Sequence, residues 1–180
     1  MKINIGCGND IRPDFVNLDV ANLKGVNIVH DVNTLPLPFK KEAADYILCL
    51  DLLEHINYVD FLKDVNRILK KGGEVEIRVP HFTSRFNFID PTHIIKYSIQ
   101  TFEFFLENSF FKREYYTDFS FDTIIKRKIL FEKSIVFPWN YFVEKLVNLS
   151  LSTQIYFEAT FLSRIFPASN INVVLRKSKT

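Results

Sequence analysis

The sequence contains little cysteine and has no large excess of charge of either sign. Of its 180 residues only Cys7 and Cys49 are cysteines, and there is no C-x-x-C pair or cysteine–histidine cluster at metal-ligand spacing. Both cysteines lie in apolar segments typical of strands, so we expect buried free thiols and no metal site. The formal net charge of +2 supplies no overall field for nucleic acid, and we expect no nucleic-acid partner.

A long uninterrupted hydrophobic run is also missing. The longest apolar stretch, 142–166, contains Glu144, Lys145, Glu158 and Arg164 and therefore cannot form a plain transmembrane helix. The first six residues lead into a predicted strand without a signal-peptide pattern, so we expect a cytoplasmic protein. No internal repeat is present, and 180 residues suit a single domain, 1–180.

Short apolar runs separated by turns fill the first half of the chain, which is typical of a parallel α/β sheet. They predict five strands, at 2–5, 15–20, 26–30, 44–50 and 74–79. Before the fifth strand, apolar residues at helical spacing predict a helix that begins near Tyr58. Lys70 and Lys71 are expected in its last turn, with Gly72-Gly73 as its end.

The pattern is weaker in the second half of the chain. Ser98 is the expected cap of a helix with an apolar face, formed by Ile99, Phe102, Phe105 and Leu106. The remaining predicted elements are a sixth strand, one or two amphipathic helices and a last strand, at 123–132, 140–166 and 171–176. Most of the 19 phenylalanines lie in this half. They predict an aromatic core, with an apolar substrate cleft or an exposed binding surface as the alternative.

The turn after the first predicted strand reads Gly6-Cys7-Gly8. Two glycines allow a ligand to approach the backbone closely, although a tight turn alone also needs glycine. A pyrophosphate-binding turn would have a third glycine opening a helix, and here that place holds Asp10. An acidic residue opposes a pyrophosphate but not a ligand that carries sulfonium and ammonium groups.

Three acidic residues, Asp19, Asp31 and Asp51, stand at the ends of the second, third and fourth predicted strands. A carboxylate at the end of the second strand can accept both ribose hydroxyls of an adenosine, and Asp31 could meet the adenine amino group. Each residue alone could be a solvated strand end or a helix cap. Since parallel strands bind ligands at their carboxyl ends, the three together indicate an adenosine-type ligand at this edge.

Five segments in order resemble the successive motifs of class I S-adenosylmethionine-dependent methyltransferases: IGCG, NLDV, HDVNTLPLPF, ADYILCLDLLEH and LKKGGEVEIRVP. The resemblance covers residues 2–80 and is closest to small bacterial methyltransferase-domain proteins. It implies a Rossmann-like α/β methyltransferase fold, with a mostly parallel seven-stranded sheet, an antiparallel last strand and flanking helices. We expect a cofactor-binding half, 1–80, and a substrate-side half, 81–180, with a helical insertion at about 138–167.

The resemblance also implies a site for S-adenosylmethionine at the first four strand ends. The implied cofactor-binding residues are Gly6, Cys7, Gly8, Asp19, Val20, Asp31, Val32, Leu50 and Asp51. The residues at the end of the first strand would contact the methionine part of the cofactor, and those at the end of the second would contact its ribose and adenine. The residues at the end of the third strand would border the adenine edge, and those at the end of the fourth would lie under the sulfonium. Asn4 and Asp10 depart from the family pattern, which leaves open a non-catalytic binding or scaffold domain.

Methyl transfer from a sulfonium is an in-line displacement in which the protein mainly aligns the two reactants. A hydroxyl acceptor would benefit from a general base, for which His55, His81 and His93 are the catalytic candidates. Each could equally cap an element or pin a loop. Glu54 could orient His55, or could be a charge in the first turn of a helix.

The residues after the fourth strand also bear on the acceptor. They read Asp51-Leu52-Leu53-Glu54 where methylation of nucleobase amino groups would call for (N/D)PP(Y/F), and no Pro-Cys nucleophile is present. This favours O- or N-methylation of a small molecule or glycan, with 82–121 as lid and specificity wall. A further alternative is a peripheral membrane enzyme that docks through 139–166 onto lipid-linked glycans. The acceptor, the base and the oligomeric state stay open.

Overall fold

A computed structural model describes residues 1–112 and 114–179. One sheet contains seven strands: β1 Lys2–Ile5, β2 Val16–Asp19, β3 Ile28–Val29, β4 Ala44–Leu50, β5 Leu69–Pro80, β6 Thr123–Leu130 and β7 Asn170–Arg176. Their order is β3-β2-β1-β4-β5-β7-β6. The neighbours from β3 to β5 are parallel, whereas β7 is antiparallel to both β5 and β6. The predicted fold class is confirmed.

Most of the helices lie between β5 and β7 in the chain. The α-helices are α1 Tyr58–Ile68, α2 Phe86–Ile89, α3 Asn140–Val147, α4 Leu151–Ala159 and α5 Leu162–Ile165. Short 3₁₀ helices lie at Leu53–His55, Thr101–Phe105 and Glu114–Tyr116. No helix within the described ranges is both long and apolar enough to cross a bilayer.

The predicted end of the first long helix is wrong. Helix α1 ends at Ile68, and Leu69, completely buried, already pairs with Ala44 of β4. Lys70 and Lys71 therefore follow the helix instead of forming its last turn. Burial of Leu69 against the sheet outweighs the local helix signal, because tertiary packing overrides propensity.

Two predictions in the second half also need correction. The helix expected after Ser98 is the 3₁₀ helix 101–105, and Gln100, not Ser98, stands at its N-cap. The segment 140–166 holds three helices instead of one or two. Ser150 interrupts it, because its extended backbone ends the preceding turn and its side chain forms a reciprocal capping box with Thr153 at the start of α4.

The hydrophobic core lies on one face of the sheet, because the buried apolar side chains of neighbouring strands stand opposite each other in register. Apolar side chains of the parallel strands are fully buried, among them Ile3, Ile5, Leu18, Ile47 and Ile77. Aromatic rings of the second half complete the core: Tyr97, Phe102, Phe121 and Phe157 are each at most 2% exposed. Other aromatic rings, such as Phe142 and Phe161, are exposed, so the phenylalanines serve both the core and the surface.

Candidate active site

The turn after β1 is shaped by two glycines with left-handed backbones. Gly6 has φ +68° and Gly8 has φ +48°. The amides of Gly6 and Cys7 both donate to the carbonyl of Leu18 on β2, at 2.9 and 3.1 Å. A Cβ on Gly8 would meet nothing within 4 Å, whereas one on Gly6 would lie 2.9 Å from Leu52. The backbone at Gly8 is therefore exposed to open space, as a closely approaching ligand requires.

Asp19, at the end of β2, is held against this turn. Its Oδ2 accepts from the Gly8 amide at 2.7 Å, and its Oδ1 accepts from the Ala21 amide at 2.9 Å. Each carboxylate oxygen has a further lone pair, so the group can still accept hydroxyls. Val20 beside it is exposed and free to cover a flat apolar ring. The two strand ends thus present a fixed carboxylate, a bare backbone and an apolar side chain together.

The two departures from the family pattern have visible roles here. Asn4 is buried, and its Nδ2 donates to the carbonyl of Asp10 at 2.8 Å and to Oδ1 of Asn17 at 3.3 Å. The same Asn17 oxygen accepts from the Arg12 amide at 3.0 Å. Asp10 itself is exposed and ion-paired with Arg12 at 2.8 Å. Asn4 therefore fixes the loop that follows the glycines, and the charge of Asp10 is paired within that loop.

The residues predicted to bind cofactor at the ends of β3 and β4 differ from each other in burial and in hydrogen bonding. The Oδ1 of Asp31 accepts from the Asn33 amide at 2.9 Å, while Val32 is buried in the core. Asp51 has a left-handed backbone at φ +52°, a strained conformation for a residue with a side chain. Its carboxylate forms an ion pair with Arg78 of β5. Leu50 is partly buried before it.

A cleft of about 510 Å³ opens beside Asp51, at the carboxyl ends of β4 and β5. It is lined by Asp51, Glu54, His55, Arg78, Pro80, Phe86, Ile89, Asp90, His93 and Asn170. The ends of β1 and β4 are neighbours in the sheet, so the cleft adjoins the Gly6–Gly8 turn. Two of the three predicted catalytic histidines, His55 and His93, meet in this cleft.

His55 and His93 are joined to one acidic loop residue. Their rings are in edge-to-face contact, with centroids 4.6 Å apart. Nδ1 of His55 lies 2.8 Å from Oγ1 of Thr92, and that hydroxyl donates to Oδ1 of Asp90 at 2.6 Å. The Thr92 proton points at Asp90, so the hydroxyl accepts from His55 and the lone pair of the imidazole lies on Nε2. Hydrogen bonds from Thr92 hold the pKa of Asp90 below its usual range.

Glu54 was expected only as a partner of His55 or as a helix charge, and the sequence did not indicate its burial. It is completely buried, and both carboxylate oxygens lack a hydrogen-bond partner among the described residues. Burial raises the pKa of Glu54 to about 7. Nδ1 of His93 is buried and equally without a partner in the described chain, and burial lowers the pKa of this histidine. Glu54 does not orient His55, since Thr92 does so. The segment Asp90-Pro91-Thr92-His93 is the sequence feature from which this loop could have been recognised.

His81 lies elsewhere and is completely buried. Its Nδ1 accepts from the Thr83 amide at 3.1 Å, and its Nε2 bonds the Glu158 carboxylate at 3.0 Å. Both ring nitrogens are thus engaged within the fold. The structure separates His81 from the other two predicted catalytic histidines.

The two cysteines have the predicted character. Cys7 and Cys49 are free and buried, and burial raises the pKa of each thiol. They are therefore protonated and unreactive at neutral pH.

Comparison with known proteins gives one family match and one related sequence. Residues 4–77 match the model of the methyltransferase domain family. A stretch of 90 residues is 35% identical to an uncharacterized protein of Methanocaldococcus jannaschii. That match covers 44% of this chain and 40% of the archaeal protein, so the aligned region is less than half of either.

Solved structures are similar over nearly the whole chain. A structure of an S-adenosylmethionine-dependent methyltransferase from Archaeoglobus fulgidus has a TM-score of 0.62 at 18% identity, covering 98% of this chain and 85% of that one. The [4+2]-cyclase SpnF has a TM-score of 0.55 at 13% identity, covering 99% and 78%. At such identities the likeness shows the fold alone, and one of the two proteins is named for another reaction.

Proposed function

We propose that the chain is a class I methyltransferase and binds S-adenosylmethionine, a proposal supported by its fold and by the match of residues 4–77 to the methyltransferase domain family. We propose further that it transfers the methyl group to an oxygen or nitrogen of a small molecule or glycan. The observation that carries this proposal is the Gly8 backbone, open to a ligand and bonded to the Asp19 carboxylate. When bound, the cofactor supplies an electrophilic methyl group on a sulfonium.

In this proposal, successive strand ends along the carboxyl side of the sheet contact successive parts of the cofactor. Residues 1–80 hold the cofactor: Gly6, Cys7 and Gly8 contact its methionine part, Asp19 its ribose and Val20 its adenine. Asp31 and Val32 border the adenine edge. Leu50 and Asp51 lie toward the sulfonium. Residues 81–180 supply the acceptor side through α2 and the loop that carries His93.

The acceptor would lie in the cleft beside Asp51. His55 and His93 are the proposed proton acceptors, because each keeps a ring lone pair that the described fold does not use. His81 is left out, since both of its nitrogens are bonded. The cleft mixes Phe86 and Ile89 with charged groups, which suits a polar acceptor of small size.

The first experiment measures cofactor binding by calorimetry, with S-adenosylmethionine and its demethylated product as titrants. We expect one site in the wild type and a roughly 10–100-fold weaker one in Asp19→Ala, since a hydrogen bond to a charged group contributes about 1.5–3 kcal/mol. Asp14→Ala, an exposed acid before β2, is the matched control and should bind as the wild type does. Methyl transfer from radiolabelled cofactor to sugars, lipid-linked glycans and amines then tests the acceptor.

Each result decides something. No heat with either titrant would overturn cofactor binding, and would favour a scaffold that kept the fold. Binding without transfer to any acceptor class would favour the non-catalytic cofactor-binding domain. Equal loss of affinity in Asp14→Ala and Asp19→Ala would remove Asp19 from the site.

A second proposed feature is peripheral membrane contact through 139–166. Large apolar side chains are exposed along and just before these helices: Ile135 (98%), Phe142 (65%) and Phe161 (68%). Such a surface suits the boundary between lipid headgroups and acyl chains. Flotation with neutral and anionic vesicles should recover the wild type but not Phe142→Asp. Phe110→Asp, at an exposed phenylalanine outside this segment, should float normally; if both variants float, the proposal is wrong.

A further inference from the structure

We propose that Glu54, His55 and His93 bind a divalent first-row transition metal ion in the cleft, with open coordination positions facing the acceptor. One ligand atom from each of the three residues lies within 4.8 Å of the others. Ligand atoms bound at about 2.1 Å to one tetrahedral ion are about 3.4 Å apart, so these separations would close by up to about 1.4 Å when the ion binds.

The unpartnered atoms of the cluster carry the inference. Glu54 is completely buried with both oxygens unbonded among the described residues, and His93 has a buried Nδ1 in the same condition. A buried polar group without a hydrogen-bond partner destabilises the fold, and a charged one does so most. A dication between them would satisfy both and would neutralise the carboxylate.

The groups behind the ligands orient them as metal sites require. Thr92 accepts from Nδ1 of His55 and donates to Asp90, which leaves the lone pair of Nε2 for a metal. The other oxygen of Asp90 lies 3.7 Å from Nε2 of His93, so that the same carboxylate faces the back of both imidazoles. The hydrogen bond to Thr92 thus fixes the tautomer of His55, as outer-shell partners of metal ligands do, whereas Asp90 is only an electrostatic neighbour of His93.

The 3₁₀ helix Leu53–His55, which carries Glu54 and His55, is hydrogen-bonded to the segment that follows His93. The Ile94 amide donates to the Glu54 carbonyl at 3.0 Å, and the hydroxyl of buried Tyr97 donates to the Leu53 carbonyl at 2.8 Å. The ligand geometry is therefore set by the fold and not by free side chains.

The donor set indicates the class of ion. Two imidazoles and one carboxylate with open positions suit Zn²⁺ or Fe²⁺, whereas Mg²⁺ and Ca²⁺ prefer oxygen ligands. A bound ion would occupy the histidine lone pairs assigned above to proton acceptance, and would itself lower the pKa of a coordinated hydroxyl. That last role rests on the proposed methyl transfer; binding of the metal does not.

The test uses chelator-stripped full chain and Zn²⁺ or Co²⁺ alone, without methyl donor or acceptor. We expect one Zn²⁺ per chain by calorimetry and elemental analysis, and a Co²⁺ absorption spectrum of low-symmetry coordination. Glu54→Gln and His93→Gln should weaken Zn²⁺ binding at least about 100-fold. Thr92→Val should weaken it about 10–100-fold, as outer-shell partners do. His30→Gln, at a partly exposed histidine outside the cluster that is bonded to the Thr34 carbonyl, is the control and should bind normally.

No zinc bound by the wild type, or an equal loss in His30→Gln, would overturn the proposal. If Glu54→Gln does not fold, the zinc affinity of Thr92→Val, a substitution on the exposed loop, is the deciding measurement. An unchanged zinc affinity in Thr92→Val would contradict the proposed site. Since only the metal is titrated, failure leaves the methyltransferase proposal standing. Failure to bind S-adenosylmethionine would likewise leave the metal site standing.

Discussion

Gly8 has no side chain at the place where we propose that the cofactor approaches the backbone. Its backbone is left-handed, and the space in front of it is open. Gly72 has the same kind of backbone, at φ +73°, near the start of β5 and hence at the other end of the sheet. Its Cβ would stand 3.4 Å from the side chain of Lys179, an ordinary contact. The two glycines are therefore a matched pair for separating strain from ligand contact.

We expect Gly8→Ala and Gly72→Ala to lose similar stability and to differ in cofactor binding. A left-handed alanine costs about 1–2 kcal/mol, and each kcal/mol lowers the Tm of a domain this size by about 2–4 °C. Only the Cβ at position 8 enters the proposed cofactor space, so only Gly8→Ala should weaken S-adenosylmethionine binding, by at least about 10-fold. Calorimetry and thermal melting measure the two effects. Equal affinity in both variants would contradict the placement of the cofactor at Gly8.

The positions of single residues were predictable where they follow a strand end. Gly8 and Asp19 could be named because glycines and acids follow apolar runs. Glu54 could not be placed, because its burial depends on the loop 90–95, which is distant in sequence. His55 and His81 looked alike in sequence, and only the three-dimensional partners Thr92 and Glu158 tell them apart.

At the scale of elements, β6 is an edge strand of the sheet. A free edge offers unpaired backbone groups to other chains. Asn148, which caps α3, covers part of it: its Oδ1 accepts from the Ile129 amide and its Nδ2 donates to the Ile129 carbonyl, both at 2.8 Å. Glu144 on the same helix accepts from the Phe131 amide at 3.1 Å. The side chains of Glu144 and Asn148 thus form the backbone hydrogen bonds that a neighbouring strand would otherwise form with this part of the chain.

Asn148→Ala should destabilise the chain by about 1–3 kcal/mol, because both backbone groups of Ile129 lose their partner. The Ile129 amide should exchange its hydrogen faster, and the variant should aggregate more readily. Urea unfolding and hydrogen exchange measure this. Lys145→Ala, at an exposed position of α3, should change stability by less than about 0.5 kcal/mol. Equal effects of the two substitutions would show that α3 does not protect the edge.

Elements were predictable where one periodicity dominates the sequence. The strand 44–50 has the predicted limits, since a continuous apolar run of this length is a strong strand signal. The end of α1 was missed because pairing of Leu69 with Ala44 is a long-range event. The division of 140–166 into three helices depends on Ser150 capping, which competes locally with helix continuation.

For the whole molecule, His81 joins the parallel sheet to the helices before β7. It follows β5 directly, and its Nε2 bonds Glu158 of α4. The same carboxylate oxygen accepts from the Ile99 amide at 2.7 Å. The imidazole also contacts the rings of Phe82 and Phe157. Three distant parts of the chain therefore meet at one buried polar group.

We expect His81→Ala to lower the stability of the entire chain while His55→Ala does not. The first removes a buried ring and one partner of a buried carboxylate, which costs about 2–4 kcal/mol, or about 5–15 °C in Tm. The second removes a partly exposed ring and should cost less than about 1 kcal/mol. Thermal melting followed by far- and near-ultraviolet circular dichroism should show one transition in both variants, since the pairing of β5 with β7 still joins the two halves of the sheet. Two separate transitions in His81→Ala would mean that the halves unfold independently, and an unchanged Tm would return His81 to the catalytic candidates.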